Sequence, residues 1–412
     1  MDHANDFDLT GLIHHPYRPP AGFEAPQAAV HKASTVYFPN VEALRARDWR
    51  EKAGYTYGLH GTPTTYLLEE RVAHLEGGLQ TVLVPSGLSA ISTTGLALLQ
   101  TGDEVLIPDN AYGPNKAFAL GELARLGVRH ALYDPMDVGD LAQRLSVHTR
   151  LVWLEAPGSV TMEFPDLIEQ LRLCRERGVT VALDNTWGAG LAFNPFDLMG
   201  DGTLGVDVSV HALTKYPSGG GDVLMGAITT RNLELHHDIK LCHMRLGLGV
   251  GANDVETVLR SLPSMGVRYV AQDRSARALA MWLADQDFCT QVLHPAWPGA
   301  TGHEHWLAVC RHGGHGCAGL AAGLFSIMVD ERIASDRVDA WLNDLKYFKL
   351  GYSWGGAISL VVPYALREMR STWPRHLKPG TLVRFSIGLE SDRKSTRLNS
   401  SHVALSRMPS SA

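Results

Sequence analysis

The stretch "VSVHALTKYPSGGGDVLMG", residues 208–226, sets a hydrophobic run and a lysine, Lys215, just ahead of three consecutive glycines. A nucleotide phosphate loop has the opposite order, with glycines before its lysine and a Ser or Thr after it, so that reading fails. The run "VDVSVHALTK" is expected to be a strand that Lys215 closes. A lysine at the end of a buried strand loses hydration, which lowers its pKa and suits it to Schiff-base chemistry. The plain alternative is a lysine reaching solvent or a salt bridge, and spacing alone favours that alternative.

Upstream, the pattern is regular from about residue 63. "TTYLLEERVAHLEGG", "GLSAISTTGLALLQTG", "GPNKAFALGELARLG", "DVGDLAQRL" and "DLIEQLRLCRERG" have helical spacing. Between them lie the short apolar runs "QTVLVPS", "DEVLIPD", "VRHALYD", "TRLVWLEAP" and "VTVALDNTW". Strands alternating with helices imply an α/β fold with a mostly parallel sheet covered on both faces. Right-handed crossovers put the strand C-termini on one edge, where ligands usually sit.

The expected division is an N-terminal arm over 1–62, with a helix in "NVEALRARDWREKAG", a large α/β domain over 63–262 and a smaller α+β domain over 263–391. The segment 392–412 is basic and Ser-rich, without periodicity. It resembles translated sequencing-adapter read-through, so the natural gene is expected to continue past Glu390 or Ser391.

A net charge of −6 gives no sign of a nucleic-acid partner. Five irregularly spaced cysteines argue against a disulfide framework and for the cytoplasm. No apolar run is long enough to span a membrane, and the polar N-terminus does not read as a signal peptide. The His- and Cys-rich "HEHWLAVCRHGGHGC", residues 303–317, has no spacing of a tetrahedral metal site. No metal is expected. "GLGVGAND", residues 247–254, lacks the dinucleotide spacing and a preceding strand.

Two further positions bear on Lys215. "PSGLSA" puts Ser86, Gly87 and Leu88 at a strand-to-helix turn, where backbone N–H groups bind phosphate. "VALDNTW" ends a strand at Asp184, which could cap a helix, bind a metal or partner a cofactor cation. Together, a phosphate turn, a strand-end acid and a strand-end lysine on one sheet edge are what pyridoxal phosphate needs.

The sequence resembles the Cys/Met-metabolism family of pyridoxal-phosphate enzymes, which have the aspartate-aminotransferase-like fold. "DNTW" at 184–187, "TKY" at 214–216 and "GYSWGGAISL" at 351–360 carry the resemblance, and the Ser-Trp-Gly-Gly run points to its β-lyase branch. The resemblance implies pyridoxal 5'-phosphate as cofactor and β-elimination of L-cystathionine to homocysteine, pyruvate and ammonia, in methionine biosynthesis. A cystathionine or methionine γ-lyase, an O-acyl-homoserine sulfhydrylase or a cysteine desulfhydrase of the same family is the alternative, and a non-catalytic α/β binding protein the remote one. The resemblance implies Lys215 as the Schiff-base lysine, Asp184 as the partner of the ring nitrogen and Tyr112 as the ring-stacking tyrosine. Ser86, Gly87, Leu88 and Thr214 would hold the phosphate, and Ser353, Trp354 and Arg384 the substrate. Tyr57 would reach into the site of a neighbouring subunit in a homotetramer, a dimer of dimers. Two phosphate contacts usual in relatives are missing, since Leu59 stands where an Arg is common and Ala212 where a Ser is common. His60 or His211 could supply one of them, and a packed or solvent-facing histidine is the plain alternative for each.

Overall fold

The computed structural model describes residues 10–14, 21–23, 25–50, 52, 54–311 and 319–390. The segment 392–412 and part of the His/Cys-rich stretch, 312–318, lie outside the described residues.

Seven strands form the larger sheet: β1 (Gln80–Val84), β2 (Glu104–Pro108), β3 (Arg129–Tyr133), β4 (Thr149–Glu155), β5 (Thr180–Asp184), β6 (Val208–Ala212) and β7 (Gly226–Thr230). Their order is β1-β7-β6-β5-β4-β2-β3. Only β7 runs against its neighbours, β1 and β6. The other pairings are parallel. The C-terminal ends of β1, β2, β4, β5 and β6 therefore share one edge.

The helices enter as local chemistry dictates. Thr62 and Thr65 form a reciprocal capping box around Pro63 at the start of the Pro63–Glu76 helix. Ser86 caps the Gly87–Leu98 helix by accepting the Ser89 N–H. The arm is less helical than expected, with only Val41–Arg45 forming a helix in that stretch. The charged residues after Arg45 offer no apolar stripe to bury, so nothing extends the turn.

One expectation for the 208–226 stretch is corrected. Strand β6 stops at Ala212, and Lys215 lies three residues further on, in a tight turn. There the Lys215 N–H donates to the Ala212 carbonyl at 3.1 Å and the Gly219 N–H to the Lys215 carbonyl at 3.0 Å. Hydrophobicity continues through Leu213, which is fully buried, and so hid the end of the strand. The glycines complete the reversal into β7, with Gly219 and Gly221 at φ of +66° and +75°, which other residues rarely adopt.

A second sheet comprises β8 (Cys289–Leu293), β9 (Leu324–Asp330), β10 (Lys349–Leu350), β11 (Leu360–Tyr364) and β12 (Gly380–Ser386), ordered β10-β11-β12-β9-β8. The expected domain boundary at 262/263 falls inside a single helix, Ala252–Ala284, that runs through Pro263. Its Val255, Leu262, Met265 and Tyr269 join the core of the larger sheet. Its Ala276, Leu279 and Leu283 pack in the core of the smaller sheet with Phe325 and Phe385. Among the described residues, no helix is long and apolar enough to cross a membrane.

Candidate active site

The shared strand edge and the smaller sheet enclose a cavity of about 580 Å3. Ser86, Gly87, Leu88, Tyr112, Asp184, Thr214, Lys215, Ser353, Trp354 and Arg384 all line it. Ten positions separated by up to 298 residues of sequence (384 − 86) thus meet in one place.

The Lys215 side chain is held from the smaller sheet's side. Its Nζ donates to Ser353 Oγ at 3.0 Å and stands 5.3 Å from the centre of the Trp354 ring. Burial, reinforced by the nearby Arg384 guanidinium, lowers its pKa to about 8. Asp184 opposes this weakly by its negative charge. Next in the chain, Tyr216 accepts the Gly323 N–H through its hydroxyl at 2.9 Å and packs edge-on against Tyr269 and Trp354. The lysine turn is thereby tied to the smaller sheet.

Asp184 is the last residue of β5. Its Oδ1 accepts both the backbone N–H and the hydroxyl of Thr186, at 3.0 and 2.6 Å. Burial nevertheless raises its pKa. Beside it in the sheet register is Glu155, the last residue of β4. This acid, not anticipated from the sequence, accepts the Tyr112 N–H at 2.7 Å. Burial, with Asp184 next door, pushes its pKa well up. Two buried acids side by side cannot both ionise without a cation. The same signal that marked Asp184, an acid closing an apolar strand, was present in "LVWLEAP".

At the helix mouth, the first N–H groups of the Gly87–Leu98 helix have no carbonyl four residues back to bond. Gly87 is required there: a Cβ would come within 2.6 Å of the Ala212 Cβ. The Thr214 hydroxyl bridges the N–H and carbonyl of Met225 at 3.2 and 3.3 Å and lines the cavity beside this mouth.

Arg384 projects from the middle of β12. Its guanidinium donates to the Tyr352 carbonyl at 2.6 Å and lies 5.2 Å from the Tyr364 ring centre. It is 5% exposed, and among the described residues no carboxylate pairs with it. A buried guanidinium without an acid is a ready receptor for a ligand carboxylate.

Three expected residues lie elsewhere. Tyr57 is half-exposed on the arm, 5.7 Å from His60 ring to ring, and does not line this cavity. His60 contacts Thr56 at 2.7 Å in a separate small cavity beside Leu59. His211 faces the opposite side of β6 from Ala212, with its Nδ1 2.9 Å from a Glu76 carboxylate oxygen. His211 therefore replaces no phosphate contact here. Strand alternation explains this, since neighbouring residues point to opposite faces.

In the His-rich stretch, the His303 ring contacts the Pro295 carbonyl at 2.9 Å and His305 lies 3.5 Å from Asp166. Among the described residues no three His, Cys, Asp or Glu side chains form a metal cluster.

The residues fit a phosphorylated pyridine aldehyde. An amine of lowered pKa faces the cavity, the Gly87 cradle admits no side chain, and the paired acids are suited to a cationic ring nitrogen. Fold and site together are those of a pyridoxal-phosphate enzyme of the aspartate-aminotransferase-like type, fold type I. Residues 9–394 match the family described as Cys/Met metabolism PLP-dependent enzyme. The cystathionine beta-lyase of Bordetella avium is 35% identical, over 91% of this chain and 91% of that one. An L-alanine/L-glutamate racemase of Wolbachia pipientis wMel is 32% identical, over 92% of each. The crystal structure of cystathionine gamma synthase from Xanthomonas oryzae pv. oryzae, in complex with aminoacrylate and cysteine, superposes with a TM-score of 0.84. It covers 96% of this chain and 97% of that one at 25% identity. The chain belongs to the Cys/Met metabolism PLP-dependent enzyme family, whose cofactor is pyridoxal phosphate.

Proposed function

We propose that this protein is a carbon–sulfur β-lyase, cleaving the Cβ–S bond of an L-cysteine thioether and taking up one water to release a thiol, pyruvate and ammonia. Cystathionine is the substrate to which the names of several relatives point. The carrying observation is the contact of Lys215 Nζ with Ser353 Oγ at 3.0 Å, in a cavity that Arg384 also lines. A base for the Cα proton and a clamp for the α-carboxylate thus stand side by side.

The division of labour follows from the residues. Lys215 is the attachment point for the cofactor. As a neutral amine, it takes the proton from Cα and can return one to the leaving sulfur. Arg384 and Ser353 hold the α-carboxylate, and Trp354 closes over the lysine. Tyr112 would stack on the ring and is the second candidate acid for the sulfur. Ser86, Gly87, Leu88 and Thr214 would hold the phosphate, and Asp184 would keep the ring nitrogen protonated. When bound, the cofactor supplies the electron sink that stabilises negative charge at Cα. Tyr57 serves the site of a neighbouring subunit in a homo-oligomer, and the reaction takes place in the cytoplasm.

Product analysis tests the reading. Incubation with L-cystathionine should give pyruvate and homocysteine. Formation of 2-oxobutyrate would mean γ-elimination instead, and conversion of L-alanine to its mirror image without elimination would mean racemisation.

A further inference from the structure

Behind the strand ends that carry the site lies a second polar cluster, made of Glu76, Asn185, Ser209 and His211. All four side chains are buried, and none lines the cavity. Glu76 is its centre and the last residue of the Pro63–Glu76 helix. Helix chemistry gives no reason for an acid there, since a carboxylate at a helix C-terminus meets the negative end of the dipole. Burial adds a desolvation cost. The compensation comes from the sheet. Glu76 Oε2 accepts the Asn185 side-chain amide at 2.9 Å and the Ser209 hydroxyl at 2.7 Å, and Oε1 stands 2.9 Å from His211 Nδ1.

These partners sit where the reactive groups are anchored. Asn185 directly follows Asp184, the end of β5, and its backbone N–H donates to the Val210 carbonyl of β6 at 2.9 Å. Ser209 and His211 lie on β6, which leads into the tight turn with Lys215. The next column of the sheet is uncharged, with Ala227 of β7 beside His211 and Thr229 beside Ser209. One carboxylate thereby joins the end of β5 to the end of β6. A pyridine ring is rigid, so an acid at its nitrogen and an amine at its aldehyde need a separation held to within about 0.5 Å.

We infer that Glu76 is a positioning residue of the cofactor site: by holding Asn185, Ser209 and His211, it fixes Asp184 and Lys215 relative to each other from behind. This rests on the roles given above to Asp184 and Lys215. Glu76→Gln keeps the shape but puts an amide nitrogen where a carboxylate oxygen stood, so one side of the group no longer accepts. Ser209→Ala removes one of the two donors to Oε2. Thr229→Val is the control. Its hydroxyl shares a buried 2.9 Å hydrogen bond with Thr81 of β1, on the side of β7 away from β5.

The holoenzyme of each variant is dialysed against graded pyridoxal phosphate, its visible circular dichroism is recorded, and urea unfolding is run in parallel. Glu76→Gln should raise the dissociation constant by about tenfold or more, the scale set by groups that orient directly contacting residues. It should also weaken the dichroic band relative to the absorbance. Ser209→Ala should move both readouts the same way, with about a threefold or larger loss of affinity. Thr229→Val should move neither, although it too loses a buried hydrogen bond. A folded Glu76→Gln protein with the wild-type dissociation constant and band overturns the inference. A Thr229→Val protein that loses cofactor as readily as Ser209→Ala overturns it too, and that comparison decides if Glu76→Gln fails to fold. A visible band that survives Lys215→Ala would instead overturn the role of Lys215 on which the inference rests.

Discussion

Cofactor capture should depend on pH through a single amine. A lysine normally titrates at 10.5, and burial with the Arg384 charge brings Lys215 to about 8. Only the neutral amine attacks an aldehyde. With a pKa of about 8, roughly one Lys215 in ten is neutral at pH 7, against roughly one in three thousand for an ordinary lysine, an advantage of about 300-fold. The sign is fixed: capture speeds up as pH rises and levels off above about 8. The assay mixes apoprotein with pyridoxal phosphate and follows the growth of visible absorbance. A free primary amine, run in parallel, accounts for the cofactor's own titration. Arg384→Met removes a repelling charge, so its inflection should move to higher pH. A wild-type rate that keeps climbing without a bend until about pH 10, near the ordinary lysine value, would refute the reasoning, as would an unmoved bend in the variant.

Other outcomes follow from contacts already described. Gly87→Ala drives a Cβ to within 2.6 Å of Ala212, so the helix mouth must shift. Cofactor affinity should fall by about tenfold or more, read by equilibrium dialysis, as overpacking displaces the N–H groups. Arg370 joins Asp109 and Glu163 at 3.2 and 2.9 Å, all three buried. Arg370→Ala should destabilise the protein by about 1.5–3 kcal/mol in urea unfolding, because it removes the guanidinium shared by two buried carboxylates and leaves Asp109 to Lys116 and Ser371, and Glu163 to His376. Inactive Tyr57→Ala and Lys215→Ala chains, mixed and reassembled, should regain part of the activity if Tyr57 serves a neighbouring site. No recovery would count against a shared site.

The larger sheet was legible because its strands are short apolar runs separated by helices whose caps and glycines are local signals. Asp184 was readable for the same reason. Glu155 carried an equal signal, yet its meaning depends on lying beside Asp184 in the register, which only strand order reveals. Arg384 sits inside a strand and has no local mark. Its identity as a buried cation without a carboxylate is a tertiary property, suggested in the sequence only by family resemblance. Strand β11 carries Pro363, a residue that strands seldom contain. The short β10 covers only Leu360 and Val361 on that side, so the missing N–H of Pro363 costs no ladder bond. The continuity of the Ala252–Ala284 helix was masked by Pro263 and Gly266 in "SLPSMG". Burial of one apolar face along most of its length outweighs those two residues.

That helix ties the two sheets to one another through their cores. Its 33 residues form a rod of about 50 Å. Cutting the chain at 262/263 would divide the rod and strip each half of part of its core. Neither sheet could then melt by itself without exposing the other's apolar residues. Loss of the smaller sheet would also release Tyr216 from Gly323, and with it the turn that carries Lys215. Unfolding of the smaller sheet would thereby also disturb the proposed attachment point of the cofactor.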